Sequence, residues 1–300
     1  MSLIVTGSIG IDSIEAPTGK AENVLGGSCI YFAAAASYFT SVRLVGAVGE
    51  DFPDEHIQTF KHFNIDLEGL EKRAGSKTFR WHGRYHENMN ERDTLDVQLN
   101  VLAEDLPPVP QSYRDSEYVF LANTHPAAQK ALLENFPQRK LVLADTMNLW
   151  IENELPTLKE LLRDIDGLVL NDCEAFQLTH QSNVVRAAEA ILGMGPKFVV
   201  IKKGEHGAFI LHEDGMAALP AYAARDVVDP TGAGDSFAGG MMGHLAATGD
   251  LSLINLRRAM AYGTIVASYN IESFSLRRLQ EIDRQDIDRR LKAYSEMLVV

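Results

Sequence analysis

Residues 229–240, which read DPTGAGDSFAGG, combine residue types that can bind an anion at the start of a helix. Pro230 restrains the residue before it, Thr231 can cap a helix, and Gly232 permits a tight turn. Apolar residues recur at helical spacing from Ser236 onward, so the glycines lead into a helix. A helix N-terminus presents free N–H groups and the positive end of the helix dipole, which suits a phosphoryl group.

An acid, Asp235, stands inside this anion-binding pattern. One interpretation is structural, because a carboxylate in the first turn of a helix interacts favourably with the helix dipole. The other is catalytic: Asp235 is a general base that takes a proton from a substrate hydroxyl. The backbone N–H groups of Gly232, Ala233 and Gly234 then hold the phosphoryl oxygens.

Composition excludes several classes of protein. The 28 Lys and Arg residues against 41 Asp and Glu residues give a net charge of −13, which disfavours a nucleic-acid partner. Cys29 and Cys173 lack CxxC spacing, so we expect reduced thiols and no zinc site. Neither a signal peptide nor a run of eighteen apolar residues is apparent, and we expect a cytoplasmic protein without a membrane segment. The length and the 46% hydrophobic content suit one main domain over residues 1–300.

Short apolar segments alternate with amphipathic ones along most of the chain, which predicts an α/β fold with a mostly parallel sheet covered on both faces. The predicted strands are 3–6, 118–122, 141–144, 167–170 and 197–201. The predicted helices are 29–39, 155–162, 184–192, 256–267 and one that begins at residue 126, followed by a charged helical pattern over 276–298.

Polar residues follow the predicted strands at what should be one edge of the sheet, where α/β proteins bind ligands. They include Asp12, Asn123, Asp145, Asn171 and Lys202. Each has a structural alternative: Asp12 suits a turn, Asn171 suits a helix cap, and the segment 202–207 suits a charged hairpin. Several together favour a ligand site.

The segment 77–85 alternates in type, with Phe79 and Trp81 on one face of a strand and Arg80 and Arg84 on the other. This pattern is typical of an antiparallel edge strand, but it also suits a lid or a dimer surface. The polar turn that follows contains Asn90 and Arg92, either of which can reach a substrate.

The string at 229–240, together with Asn171-x-x-Glu174 and the Gly26-Gly27 pair, resembles the signatures of the PfkB (ribokinase-like) carbohydrate and nucleoside kinases. The resemblance covers nearly the whole chain. It implies a ribokinase-like fold with a small β-sheet lid formed by segments near 12–24 and 75–101. It also implies transfer of the γ-phosphoryl of ATP to a hydroxymethyl group of a sugar or nucleoside, and a homodimer in which the lids cover the active sites.

The resemblance also assigns roles to individual residues. For the acceptor substrate these are Asp12, Gly26, Gly27, Tyr31, Asn90, Arg92 and Asn123. For the nucleotide and its Mg²⁺ they are Asn171, Glu174, Lys202, Gly204, Gly207, Thr231 and Asn270, with Glu174 acting on the metal through water. The backbone carbonyls of Asp229 and Thr231 are expected to surround a monovalent cation such as K⁺. Tyr31 departs from the family pattern, in which many members carry Asn.

Other functions stay open at this point. The chain lacks a G-x-x-x-x-G-K-[ST] loop and a G-x-G-x-x-G after the first strand, so a P-loop NTPase and a Rossmann dehydrogenase lose support. A hydroxymethylpyrimidine-type vitamin kinase and a non-catalytic sugar or nucleoside sensor remain. Basic residues near the lid (Arg80, Arg84, Arg92) suit a phosphorylated sugar, whereas aromatic residues (Tyr31, Phe79, Trp81, Tyr85) suit a nucleoside base.

Overall fold

A computed structural model describes residues 2–299, which form a nine-stranded sheet and a separate four-stranded sheet. The strands are β1 (Leu3–Thr6), β2 (Gly10–Ala16), β3 (Gly19–Gly26), β4 (Val42–Gly49), β5 (Asp66–Arg73), β6 (Phe79–Tyr85), β7 (Arg92–Gln98), β8 (Tyr118–Leu121), β9 (Leu141–Asp145), β10 (Gly167–Asn171), β11 (Phe198–Lys202), β12 (Ala208–His212) and β13 (Gly215–Leu219). The helices are α1 (Ser28–Ser37), α2 (Asp54–His62), α3 (Pro126–Leu133), α4 (Asn148–Asn153), α5 (Leu155–Leu162), α6 (Asp172–Thr179), α7 (Val184–Leu192), α8 (Ala233–Thr248), α9 (Leu253–Asn270), α10 (Arg277–Glu281) and α11 (Arg284–Met297).

The large sheet has the strand order β13-β12-β11-β10-β9-β8-β1-β4-β5. From β11 to β5 all neighbouring strands run parallel, and only β12 and β13 are antiparallel to their neighbours. The carboxyl ends of β1, β8, β9, β10 and β11 therefore share one edge. This is the edge at which such sheets bind ligands.

Helices cover both faces of the large sheet because its strands are apolar on both sides. Leu3 and Val5 of β1 pack into the core beneath α1, α8 and α9, whereas Ile4 packs into the core beneath α3, α5 and α7. Alternate side chains of one strand thus pack into two different hydrophobic cores. The predicted α/β class with a mostly parallel, doubly covered sheet is confirmed.

The small sheet has the order β3-β2-β6-β7, with β2 parallel to β6 and the outer pairs antiparallel. Asp12 on β2 is paired in register with Trp81 on β6, which is paired with Val97 on β7. These three residues therefore share one face of the small sheet. Arg80 precedes Trp81 and Arg84 follows Gly83, so both arginines lie on the opposite face.

Several predicted elements differ from the structure in informative ways. Asp12 lies inside strand β2 and not in a turn, because the chain pairs with β3 and β6 directly after β1 ends. Asn270, three residues beyond the predicted helix 256–267, is the last residue of α9. The charged pattern over 276–298 divides into α10 and α11, which are separated at Asp283 by the N-cap of α11. Within residues 2–299, no helix combines the length and apolarity that crossing a bilayer requires.

Candidate active site

The loop that precedes α8, residues 229–232, is called the anion loop and is held by hydrogen bonds to the end of α9 and to itself. The backbone N–H groups of Val228 and Asp229 donate to the carbonyl of Ile271 at 2.7 and 3.2 Å. Asn270 Nδ2 donates to the Thr231 carbonyl at 2.8 Å, and the Thr231 N–H donates to Asp229 Oδ1 at 2.9 Å. These bonds fix the direction in which the first N–H groups of α8 point.

Gly232 is the N-cap of α8 and has φ of 75°, a left-handed conformation that glycine adopts without strain. The prediction that Thr231 caps the helix is wrong: no side chain in the described chain caps α8, and the Thr231 hydroxyl instead donates to Tyr85 Oη at 3.1 Å. The Ala233 N–H is also engaged, because it donates to the Pro230 carbonyl at 3.1 Å. Gly232 and Gly234 are therefore the better candidates for anion donors.

Asp235 is the third residue of α8 and is half-buried. Burial raises its pKa from 3.8 to about 6, against the opposing effect of the Lys202 and Arg92 charges, while Glu174 adds to the rise. A carboxyl that titrates near pH 6 is mostly ionised at neutral pH and still basic enough to accept a proton. These properties suit a general base.

Lys202 places a positive charge beside the anion loop. It ends β11, and its Nζ lies 2.6 Å from the point where a Cβ on Gly234 would stand, so a larger residue at 234 would displace it. The same ammonium lowers the pKa values of Asp235, Glu174 and Asp145 against the larger effect of burial. It is therefore positioned to attract phosphate oxygens to the end of the helix.

Asn171 and Glu174 form a capping box at the start of α6. Asn171 Oδ1 accepts from the Glu174 N–H, and Glu174 Oε2 accepts from the Asn171 N–H, both at 2.8 Å. The structural interpretation of Asn171 is thus correct, and its side-chain oxygen serves the helix. The capping box also orients Glu174, whose pKa is raised by burial and lowered by the nearby Lys202.

Asp12 is only 4% exposed, and its carboxylate lies against Gly26, where a Cβ would overlap it. Burial raises its pKa to about 8, and the charges of Asp229 and Asp235 add to the rise. Gly27 has φ of 100° and brings its backbone against the Ser8 carbonyl. The glycine pair thus makes room for Asp12 and for the turn into α1, and this packing by itself requires both glycines.

The face of the small sheet that carries Asp12 also carries the aromatic residues Trp81 and Tyr85. Trp81 packs over Gly83, where a Cβ would overlap the indole ring. The Cζ of Arg92 lies 5.9 Å from the centroid of the Trp81 ring. Arg92 also lowers the pKa of Asp235. Because Tyr85 accepts the hydrogen bond from Thr231, the small sheet is joined to the anion loop itself.

Comparison with known proteins agrees with this geometry. The model of the pfkB family of carbohydrate kinases matches residues 3–281. The chain belongs to the pfkB family. It is 29% identical over 249 residues to a cytidine kinase from Thermococcus kodakarensis, an alignment that covers 81% of this chain and 87% of that protein.

Solved structures share the fold of this pfkB-family kinase. Aminoimidazole riboside kinase from Salmonella enterica, solved with aminoimidazole riboside and an ATP analogue, superimposes with a TM-score of 0.77 at 20% identity, over 97% of this chain and 100% of that one. Ribokinase from Giardia lamblia superimposes with a TM-score of 0.80 at 16% identity, over 98% and 99% of the two chains. The ribokinase-like fold is thereby confirmed. The family match and the curated relative show that the chain is a phosphotransferase that acts on an alcohol group of a sugar or nucleoside.

Two residues predicted to contact the acceptor have other partners in this pfkB-family kinase. Asn123 Oδ1 accepts from Trp150 Nε1 at 2.9 Å, and its Nδ2 donates to the Met147 sulfur at 3.1 Å. Asn90 is exposed, and its Nδ2 lies 3.4 Å from Glu205 Oε1. Asn123 thus joins the end of β8 to α4, while Asn90 contacts the turn after β11.

Three of the residues predicted to bind the nucleotide in this pfkB-family kinase lie either in the turns that follow β11 or behind the anion loop. Gly204 has φ of 53° and begins the short turn Gly204–His206, which faces the small sheet through Asn90. Gly207 has φ of 89°, and a Cβ there would overlap the Leu219 carbonyl, so it is required by the β12–β13 hairpin. Asn270 is 1% exposed and supports the anion loop from behind.

One buried acid, Asp145, is predicted at the ligand edge of the sheet without a role of its own, and the structure places it near Asp235 and Lys202. It ends β9, and its pKa is raised well above the usual range by burial and then by Asp235, while Lys202 opposes the rise. Its Oδ1 has no hydrogen-bond partner within residues 2–299. The signal for it was present in the sequence, because an acid that ends an apolar strand of this sheet must lie at the ligand edge.

Proposed function

We propose that this protein transfers the γ-phosphoryl of ATP to the hydroxymethyl group of a nucleoside, with Asp235 as the general base. The observation that carries the proposal is the arrangement at the start of α8. A carboxyl with a pKa near 6 stands there beside glycine N–H groups and the Lys202 ammonium. Phosphoryl transfer depends mainly on such positioning and charge stabilisation.

In the proposed reaction, Asp235 takes the proton of the acceptor hydroxyl as its oxygen attacks the γ-phosphorus. The bond between that phosphorus and the β–γ bridging oxygen breaks, and ADP leaves with the electron pair. Gly232, Gly234 and Lys202 hold the negative oxygens of the transferring group. Ala233 can contribute its N–H once the turn bond to Pro230 is released.

The faces of the small sheet support an unphosphorylated acceptor. Arg80 is paired with Asp51 at 3.0 Å and Arg84 with Glu15 at 2.8 Å, and both lie on the face away from Asp12. Arg92 is therefore the arginine of this sheet placed to meet a ligand. A single arginine on this face provides little positive charge for an acceptor that already carries a phosphate.

The same sheet supports a nucleoside over a simple sugar, because Trp81 and Tyr85 share the face of Asp12. Aromatic rings of this kind stack on nucleobases. The similarity to a cytidine kinase over most of both chains points in the same direction. Ribose is the second candidate, supported by a ribokinase from Staphylococcus aureus that is 29% identical over 118 residues, 38% of this chain and 37% of that protein.

Mg²⁺ fits the site as a companion of the nucleotide phosphates. Glu174 Oε2 is used by the capping box, which leaves the other carboxylate oxygen free to act on the metal directly or through water. Held there by Glu174, the metal would neutralise part of the negative charge on the nucleotide phosphates. The residues of the chain then orient the phosphates through Lys202 and the start of α8.

A monovalent cation such as K⁺ fits behind the anion loop. Asp229 is fully buried, and its Oδ2 has no hydrogen-bond partner in the described part of the chain, as is also true of Asn270 Oδ1. These oxygens and the neighbouring carbonyls of Asp229 and Thr231 are the donors that a hard cation takes. Activity that does not change when potassium is replaced by tetramethylammonium would contradict this site.

The decisive experiment is phosphorylation of a panel of acceptors by the wild type and by Asp235→Asn. We expect activity on a ribonucleoside such as cytidine, reduced roughly 10²–10⁴-fold by the substitution while nucleotide binding remains. Phosphorylation of hydroxymethylpyrimidine alone would favour the vitamin kinase. Ligand binding without turnover would favour a sensor, and near-normal turnover of the variant would remove Asp235 from the mechanism.

A further inference from the structure

The small sheet supplies one of the hydrogen bonds that hold Thr231 in the anion loop. The backbone N–H of Thr231 donates to Asp229 Oδ1 at 2.9 Å, and its carbonyl accepts from Asn270 Nδ2 at 2.8 Å. Its hydroxyl donates to Tyr85 Oη at 3.1 Å. The first two bonds come from the loop itself and from α9, whereas Tyr85 is the last residue of β6. The residue before the N-cap of α8 is therefore held by the large domain and by the small sheet together.

Tyr85 is buried, and its hydroxyl is close to both parts of the site. It is 7% exposed and shares the face of the small sheet that carries Asp12. Burial raises the pKa of its hydroxyl, and the charge of Arg92 and the bond from Thr231 oppose the rise. The charges of Asp229 and Asp12 add to it, so the hydroxyl interacts with the anion loop and with the acid predicted to bind the acceptor. The phenol therefore stays neutral and can accept the bond from Thr231.

The peptide unit between Thr231 and Gly232 carries one of the N–H groups that are to meet the phosphoryl group. Because a peptide unit is planar, the direction of the Gly232 N–H follows the Thr231 carbonyl of the same unit. Asn270 fixes that carbonyl, and Tyr85 fixes the side chain of the same residue. The ring of Tyr31 in α1, which is 1% exposed, packs against Gly232, where a Cβ would overlap it. The glycine has little other freedom, so a displacement of Tyr85 changes the direction of this donor.

We propose that Tyr85 is a positioning residue for phosphoryl transfer: its hydrogen bond with Thr231 sets the Gly232 N–H, so an acceptor that packs against the small sheet also stabilises the anion loop. The inference rests on the proposed function and adds a form of regulation to it. Acceptor and nucleotide should each raise the affinity of the site for the other, because both favour the arrangement in which the bond between Tyr85 and Thr231 is made.

The test measures by calorimetry the affinity of the protein for a non-hydrolysable ATP analogue, with and without saturating cytidine. We expect the wild type to bind the analogue about fivefold more tightly when cytidine is present, the coupling that one hydrogen bond of this kind supplies. Tyr85→Phe keeps the ring and removes only the hydroxyl, so the ratio of the two dissociation constants should fall towards one. The kcat should fall several-fold while the KM for cytidine changes little, because the aromatic ring is retained.

Thr231→Val tests the other end of the same hydrogen bond. Valine has nearly the shape of threonine and keeps the backbone bonds to Asp229 and Asn270. The substitution should lower the affinity ratio as Tyr85→Phe does, and the double variant should be no worse than either single variant. Thr231→Ser restores a hydroxyl and should recover most of the ratio that Thr231→Val loses. Additive losses in the double variant would show that the two hydroxyls act separately, which contradicts the proposal.

Tyr294→Phe is the matched control, because Tyr294 is also buried and its hydroxyl donates to the Pro220 carbonyl at 2.6 Å, in α11. It should leave the kcat and the affinity ratio unchanged. A Tyr85→Phe protein with the wild-type ratio would overturn the proposal. So would a loss confined to the KM for cytidine, since that result indicates that Tyr85 only contacts the base.

Failure of the proposed function is distinguishable from failure of this inference. A wild type that phosphorylates no acceptor contradicts the kinase reaction and the coupling with it. A wild type that turns over cytidine with an affinity ratio of one contradicts the coupling alone. If the wild type acts on ribose only, the nucleoside assignment fails, and ribose replaces cytidine in both measurements. Equal ratios for wild type and Tyr85→Phe with ribose would again overturn the role of the Tyr85 hydroxyl.

Discussion

At the scale of single residues, the site depends on how a few charges lie around the first turn of α8. Asp235 is made more basic by burial, and Lys202 and Arg92 partly reverse that effect. The balance matters because a base is useful only in its ionised form, and its basicity falls as its pKa is lowered. Two substitutions test separate parts of this balance.

The first prediction concerns the pH dependence of kcat/KM. Asp235 must be ionised to act, so activity should be present above about pH 6 and should fall as the pH decreases through the pKa of about 6. Lys202 lowers that pKa. Lys202→Met should therefore move the acid limb to higher pH, in addition to lowering turnover, and pH–rate profiles measure both effects.

The control for this prediction is Lys203→Met, which removes a positive charge one residue further along the chain. We expect its acid limb to coincide with that of the wild type. An unchanged acid limb in Lys202→Met would show that the ammonium does not act on the Asp235 carboxyl.

The second prediction concerns Glu174 and magnesium. Glutamine can replace glutamate in a capping box, so Glu174→Gln should preserve α6 and the fold. Loss of the carboxylate charge should raise the Mg²⁺ concentration for half-maximal activity by roughly tenfold while the acceptor KM stays constant. Asp172→Asn is the control, because it removes a neighbouring charge and leaves both capping-box bonds intact; equal Mg²⁺ titrations for the two variants would count against the metal role.

At the scale of elements, α8 is held between α1 and α9 by glycines that let the helix backbones approach closely. A Cβ on Gly239 would overlap the Phe32 carbonyl of α1. A Cβ on Gly263 of α9 would stand 2.5 Å from the Phe237 carbonyl of α8. These contacts fix the height and rotation of the helix whose first turn carries Asp235.

The third prediction tests this packing. Gly239→Ala should force α1 and α8 apart and lower the free energy of unfolding by roughly 1–3 kcal/mol, the usual effect of overpacking a tight contact. Thermal unfolding followed by circular dichroism measures it. Ala247→Ser, on an exposed position of the same helix, should leave the midpoint unchanged. Equal midpoints for the Gly239 variant and the wild type would show that the contact between α1 and α8 accommodates the added methyl group.

At the scale of the whole molecule, the two hairpin turns of the small sheet both contact the large domain, in addition to the bond between Tyr85 and Thr231. Thr18 Oγ1, at the β2–β3 turn, donates to the Val228 carbonyl at 2.6 Å, directly before the anion loop. Asn90, at the β6–β7 turn, lies 3.4 Å from Glu205. Both hairpins of the small sheet thus reach across the site, which supports its proposed role as a lid that excludes water from phosphoryl transfer.

The fourth prediction is a two-fold homodimer formed through the small sheets. Every residue of the outer strand β7 is exposed, including Leu95 at 41% and Val97 at 46%, and an uncovered strand with apolar residues invites pairing. Light scattering at micromolar concentration should give twice the mass of one chain. Val97→Lys should lower both the mass and the activity, as should Trp81→Glu on the same face.

Gln98→Lys is the control for the dimer, because Gln98 is exposed on the same strand and pairs with Arg80 on the face away from Asp12. It should retain the wild-type mass. A wild type with the mass of a single chain would refute the dimer, and so would a Val97→Lys protein with unchanged mass and activity.

The sequence by itself determined the fold class, the strand edge that holds the site and the position of Asp235 in the first turn of a helix. These follow from local rules: apolar periodicity separates strands from helices, and glycines before an amphipathic segment mark a helix start. For the same reason β1, α5 and α7 were predicted with the bounds that the structure shows.

Only the tertiary structure decided which polar residues are free to act. Asn171 and Asn123 have their side-chain oxygens occupied by a helix cap and by Trp150, and Gly26, Gly27 and Gly207 are required where parts of the chain approach closely. The sequence places Asp145 at the ligand edge, but its burial and its interactions with Asp235 and Lys202 come from the tertiary structure. Such roles depend on contacts between residues far apart in sequence, which local periodicity and spacing do not encode.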